Sequence, residues 1–115
     1  MNQGIKTIVY PVKDINQAKA LYTELLGVEP LVDQAYYVGY KVGDQDIALD
    51  PNGHAKGMTG ATAYWHVDDL QKTVQQLLEA GAHIEQDVRD VGGGKLLVSL
   101  KDPDGNLIGL IQSPY

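Results

Sequence analysis

Twice along this chain a period of two gives way to a period close to 3.6. The segments "IKTIVYPV" (5–12) and "ATAYWHV" (61–67) are rich in β-branched and aromatic residues and read as strands. Each runs into an amphipathic stretch. In the first, Ile15, Ala18, Leu21, Tyr22, Leu25 and Leu26 fall on one helical face. In the second, Leu70, Val74, Leu77 and Leu78 do the same. Asp14 and Asp69 stand where N-caps belong, with Gln17 completing a partial capping box. Gly27 and Gly81 follow as left-handed residues able to stop each helix.

After each helix the pattern shortens again into strands. The first half predicts strands over roughly 29–32, 36–42 and 46–49; the second predicts 82–88, 95–101 and 107–112. "VGDQD" and "KDPDGN" supply turns, and "VGGG" (91–94) marks a hairpin tip. The two halves are copies. Tyr10 corresponds to Trp65, Val12 to Val67, Asp14 to Asp69 and Ile15 to Leu70, at a constant offset of 55. The pattern therefore predicts an α+β fold made of two tandem β-α-β-β-β modules. Module one covers about 4–50 and module two about 61–113. A Gly-rich linker, about 51–60, joins them into a single domain over 1–115. Each module leaves one sheet face uncovered by its own helix. Two such faces brought together would form a concave half-barrel trough, the expected place for a site.

Composition narrows the functional classes. At 115 residues, 43% hydrophobic and 21% charged, the chain can bury one core, and pairing into a homodimer through sheet edges and trough rim would add burial. Its net charge of -6 and one arginine, Arg89, argue against nucleic acid and anionic membranes as partners. Without cysteine there is no disulfide, thiolate nucleophile or Cys-zinc site. No leader or membrane-length apolar run is recognised, so a cytoplasmic location is the expectation. Phenylalanine is absent while tyrosine occurs seven times, at Tyr10, Tyr22, Tyr36, Tyr37, Tyr40, Tyr64 and Tyr115. Such usage suits rings lining a wet or ligand-filled space.

The pieces strand–"PVKD"–helix–"LLG", strand–"VDD"–helix–"AGA" and "DPDGNLIGL" resemble the vicinal-oxygen-chelate superfamily of glyoxalases, bleomycin-resistance proteins and extradiol dioxygenases. The resemblance covers nearly the whole chain and implies the paired-module fold. Metal-dependent members carry four His, Gln or Glu ligands, one each on the first and last strands of both modules. The matching positions here are Thr7, Ala48, Thr62 and Gly109. None offers an imidazole or carboxylate, so neither metal nor other cofactor is expected.

Three histidines remain. His54 reads as a loop residue and His83 as an edge residue, while alternation places His66 beside Thr62 and Tyr64 on the trough face. A substitute metal site would need His66 and a carboxylate such as Asp50 to converge, which no spacing predicts. No nucleophile elbow is present, and "VGGG" lacks the lysine and helix of a phosphate loop. The expected ligand contacts are Thr7, Tyr37, Thr62, Tyr64, His66, Leu97 and Ser99, suited to a small planar organic molecule. Two main functions compete. One is metal-free binding like that of bleomycin-resistance proteins; the other is a metal-independent lyase or isomerase with His66 and Tyr64 as acid and base. A metal-dependent glyoxalase or dioxygenase with unusual ligands ranks third. On the same reasoning Trp65 should point into the core under the helix, and Tyr64 should be removable with little effect on folding.

Overall fold

A computed structural model describes residues 2–114; Met1 and Tyr115 lie outside the described residues. The element order is β1 (Asn2–Pro11), α1 (Ile15–Leu26), β2 (Val32–Gln34), β3 (Tyr37–Val42), β4 (Gln45–Asp50), β5 (Thr62–Val67), α2 (Leu70–Glu79), β6 (His83–Asp90), β7 (Leu96–Lys101) and β8 (Leu107–Gln112). The β-α-β-β-β order thus occurs twice in an α+β chain. Two compact units emerge, one over 6–62 and one running from Ala63 onward that also takes in the start of β1.

In the first unit β1 lies parallel to β4, β3 antiparallel to β4, and β2 antiparallel to β3. Helix α1 begins because the Asp14 carboxylate accepts hydrogen bonds from the N–H groups of Asn16 and Gln17, both at 3.1 Å. It stops at Gly27, whose φ of 71° is left-handed. One side of the sheet packs on the helix through Val38, Tyr40, Leu49, Tyr10 and Ile47, meeting Ile15, Ala18, Tyr22 and Leu26. Tyr40 is 2% exposed, yet its hydroxyl is satisfied: it lies 2.8 Å from Thr23 Oγ1 and donates to the Lys19 carbonyl.

The second unit repeats the plan. Strand β5 is parallel to β8, β7 antiparallel to β8, and β6 antiparallel to β7. The Asp69 carboxylate caps α2 by accepting from Lys72 N–H, and the Gln112 side chain accepts from Leu70 N–H at 2.7 Å, tying β8 to the helix start. At the other end Gly81 N–H donates to Leu78 and Ala82 N–H to Leu77, a Schellman closure with Gly81 at φ 111°. Val67, Leu70, Val74, Val98, Leu100 and Leu110 form its core.

Four expectations are corrected. The strand placed at 29–32 occurs instead at Val32–Gln34, because Pro30 has no N–H and the ladder to β3 cannot extend back past Leu31. Leu21 and Leu25 do not join the core face of α1 but stand 60% and 70% exposed; Leu78 of α2 is likewise exposed. Each of these helices offers its sheet a narrower arc than its apolar pattern spans. Trp65 shares a strand face with Val67 but is 37% exposed and outside the core cluster. Tyr64 is the buried one of the pair, at 8%. β1 begins three residues earlier than expected, at Asn2, and the other strand ends agree with expectation or differ by one or two residues.

Candidate functional site

Register decides which side chains share the face turned away from each helix. In the second unit Tyr64 pairs with Gly109 and Gly109 with Ser99, while Ser99 pairs with Gln86. These four form one row across β5, β8, β7 and β6. The next row is His66, Ile111, Leu97 and Arg89. The helix-side neighbours Val67, Val98, Leu100 and Leu110 confirm the assignment, since successive strand residues alternate. Tyr64, His66, Leu97 and Ser99 therefore lie on the sheet face turned away from α2. Thr62, two residues before Tyr64 on the same strand, points the same way.

One contact in this face is invisible to a count along the sequence. A Cβ built on Gly109 would come within 2.7 Å of both Cγ and Cε1 of Tyr64. The tyrosine ring fills the volume that any side chain at 109 would enter. Ring and glycine fit only as a pair. Tyr64 therefore contributes to the packing of the fold, contrary to the expectation that it could be truncated at little cost.

Thr62 presents a different feature. It is 3% exposed, and its Oγ1 is the one buried side-chain polar atom without a hydrogen-bond partner among the described residues. A buried hydroxyl left unpaired costs about 1–3 kcal/mol, so its persistence needs an explanation. Ser99 is also buried, at 8%.

The first unit has its own helix-distal face, carrying Thr7, Val9, Tyr37, Gly39, Asp46 and Ala48. Thr7 pairs with Asp46, Val9 with Ala48, and Ala48 with Gly39. Tyr37 folds back along its own strand over Gly39, where a Cβ would meet its Cε2 at 3.0 Å. Burial, and then the nearby carboxylates of Asp46 and Asp50, raise the Tyr37 hydroxyl above its ordinary pKa. Both carboxylates are engaged by lysines: Asp46 with Lys41 at 3.3 Å and Asp50 with Lys56 at 3.0 Å. Asp50 also accepts from Asn52 N–H at 2.8 Å, which ties it to the loop after β4. That loop holds a short 3-10 turn, His54–Lys56, where His54 is exposed; His83 is exposed at the start of β6. Tyr36 is exposed at 68%, whereas Tyr40 belongs to the core.

Two β-α-β-β-β units, each with a parallel pair formed by its first and last strands, define a class of paired-module α+β proteins. The sequence matches the model of the Glyoxalase/Bleomycin resistance protein/Dioxygenase superfamily over residues 4–110, and the chain belongs to that superfamily. A probable lactoylglutathione lyase from Vibrio parahaemolyticus is 31% identical, with 89% of this chain and 85% of the relative covered. Among solved structures, a superfamily member from Vibrio splendidus superposes with a TM-score of 0.72 at 17% identity, covering 95% of this chain and 99% of that one. The Mn(II)-bound glyoxalase from Novosphingobium aromaticivorans gives 0.72 at 19% identity, covering 97% of this chain and 40% of that one. The two structural likenesses speak to fold.

The metal centre that the superfamily implies can be tested against these residues. Thr7 and Thr62 offer hydroxyls, Ala48 a methyl group and Gly109 nothing, and the space at Gly109 belongs to the Tyr64 ring. Among the described residues no group of three or more His, Asp or Glu side chains is placed to hold a metal ion. This donor set does not fit a divalent cation.

Proposed function

We propose that this protein binds a small, planar organic molecule on the helix-distal sheet face without the help of a metal. The observation that carries the reading is the buried Thr62 hydroxyl, which has no protein partner, on the strand whose Tyr64 ring occupies the family's carboxylate position. A ligand donor or acceptor would satisfy that hydroxyl, with the half-buried Leu97 and His66 on the same face beside the buried Tyr64, Ser99 and Ile111. The first module carries its own version of this chemistry in Tyr37, laid over Gly39, with Thr7 on the same face. Lactoylglutathione lyase activity, named for the Vibrio relative, is not what this residue set supports.

The test is a thermal-shift screen of planar aromatic compounds against the purified protein, followed by titration of any hit. The ligand should be recovered chemically unchanged, and Thr62→Val should weaken it about tenfold, one hydrogen bond's worth. Conversion of the hit would favour instead a metal-independent lyase or isomerase using His66 and Tyr64. Formation of lactoylglutathione, or binding that Thr62→Val leaves untouched, would count against the proposal.

A further inference from the structure

Charge on the helix-distal face of the second unit runs against the charge of the chain, which has 15 acidic residues to 9 Lys and Arg. The rows through Tyr64 and His66, and the adjoining row of Leu107, Lys101 and His83, carry no aspartate or glutamate. Lys101 is answered by Glu85 at 3.5 Å. Arg89 is not answered. Among the described residues it forms no ion pair, and its Nη1 donates to the neutral Oε1 of Gln86 at 2.8 Å.

Two irregularities of β6 place this arginine. The strand runs from Ile84 to Arg89 while its partner β7 covers only Leu100 to Leu97, with register shifts between Ile84 and Gln86 and between Gln86 and Arg89. Strict alternation would set Ile84 and Gln86 on one face and Arg89 on the other. The shifts instead bring Gln86 opposite Ser99 and Arg89 opposite Leu97, so both join the helix-distal face, while Val88 packs on the core. Bulges re-aim side chains in this way. Gln86 then steadies the guanidinium without neutralising it.

We infer that the molecule bound on this face is a planar organic acid whose carboxylate is received by Arg89. The inference rests on the ligand-binding proposal and adds the ligand's charge. A guanidinium offers a planar fork of N–H donors that matches a carboxylate, and one neutral acceptor leaves most of that fork unused. Strands β6 and β8 lie two spacings apart, about 10 Å, with β7 between them. An aromatic body over Leu97 and Ile111 therefore brings a carboxylate at its edge within reach of Arg89.

The experiment titrates the intact, isotope-labelled protein with cinnamate and, separately, with its uncharged analogue cinnamamide, followed by two-dimensional NMR. Cinnamate should bind at least about tenfold more tightly, the worth of one charge-assisted hydrogen bond, and should shift the Gln86, Leu97 and Arg89 resonances. Arg89→Gln should lower the acid to the affinity of the amide with an unchanged circular dichroism spectrum, because Arg89 is exposed. Lys72→Gln, which removes an exposed positive charge from α2, should leave the preference intact. Equal binding of acid and amide overturns the inference. So does a preference that survives Arg89→Gln, or one that Lys72→Gln abolishes as well. Thr62→Val separates the two readings. Weakening of acid and amide alike supports the ligand site, whereas a preference that needs Arg89 but not Thr62 upholds this inference against that site. Binding of neither compound overturns both.

Discussion

Replacing Gly109 by alanine adds one methyl group at the point where the Tyr64 ring rests on the β8 backbone. Gly109 lies in an ordinary extended strand, outside the positive-φ glycines, so the substitution carries no backbone penalty and reads sterics alone. The methyl would lie 2.7 Å from Cγ and Cε1, about 1 Å inside normal carbon contact. Because Cγ itself is involved, turning the ring about its own axis cannot clear the overlap. The side chain or the strand must move, and overpacking of this kind costs roughly 1–3 kcal/mol. Tyr64→Ala alone should cost roughly 3–5 kcal/mol, as for other buried rings. In the double variant the methyl enters vacated space, so the two losses should fall short of additivity by about 1–3 kcal/mol. Urea unfolding of the four proteins gives the coupling directly. Additivity to within about 0.5 kcal/mol would mean that ring and glycine do not touch, and the account of this face would fail.

Thr62→Val should leave the ligand-free protein as stable as the wild type or more so, since it removes a buried hydroxyl that lacks a protein partner; calorimetry showing a loss above about 1 kcal/mol would contradict this. Trp65→Ala should cost roughly 1–3 kcal/mol, less than a buried ring, because the indole is 37% exposed; denaturant unfolding decides. Tyr37 has a raised pKa when folded, so above pH 10.0 the unfolded chain loses its proton first and stability declines until the folded pKa is passed. Tyr37→Phe should therefore flatten the alkaline fall in unfolding free energy, and identical slopes for both proteins would refute the assignment.

The parts of the fold written locally were readable in the sequence. Two capping aspartates, two helix-stopping glycines and a constant offset were enough for both modules, because each depends on residues a few positions apart. Alternation along β5 likewise identified the face shared by Thr62, Tyr64 and His66. Burial was not readable. Helical periodicity grouped Leu21 and Leu25 with Ile15 and Tyr22, but only the sheet beneath α1 determines how wide an arc is covered. Alternation gave Trp65 a direction without showing that its indole stays 37% exposed. The pairing of Tyr64 with Gly109 joins residues 45 positions apart through the β5–β8 register, and no local pattern carries that information. Gly109 looked like a missing ligand; in three dimensions it is the seat of a ring.

The measurement that bears most directly on the central claim is the metal content of the purified protein, by elemental analysis, with thermal unfolding recorded before and after a chelator. The account predicts far less than one equivalent of any divalent ion per chain and an unfolding temperature that the chelator leaves unchanged. About one Ni, Zn, Mn or Fe per chain, together with a marked loss of thermal stability on chelation, would contradict it.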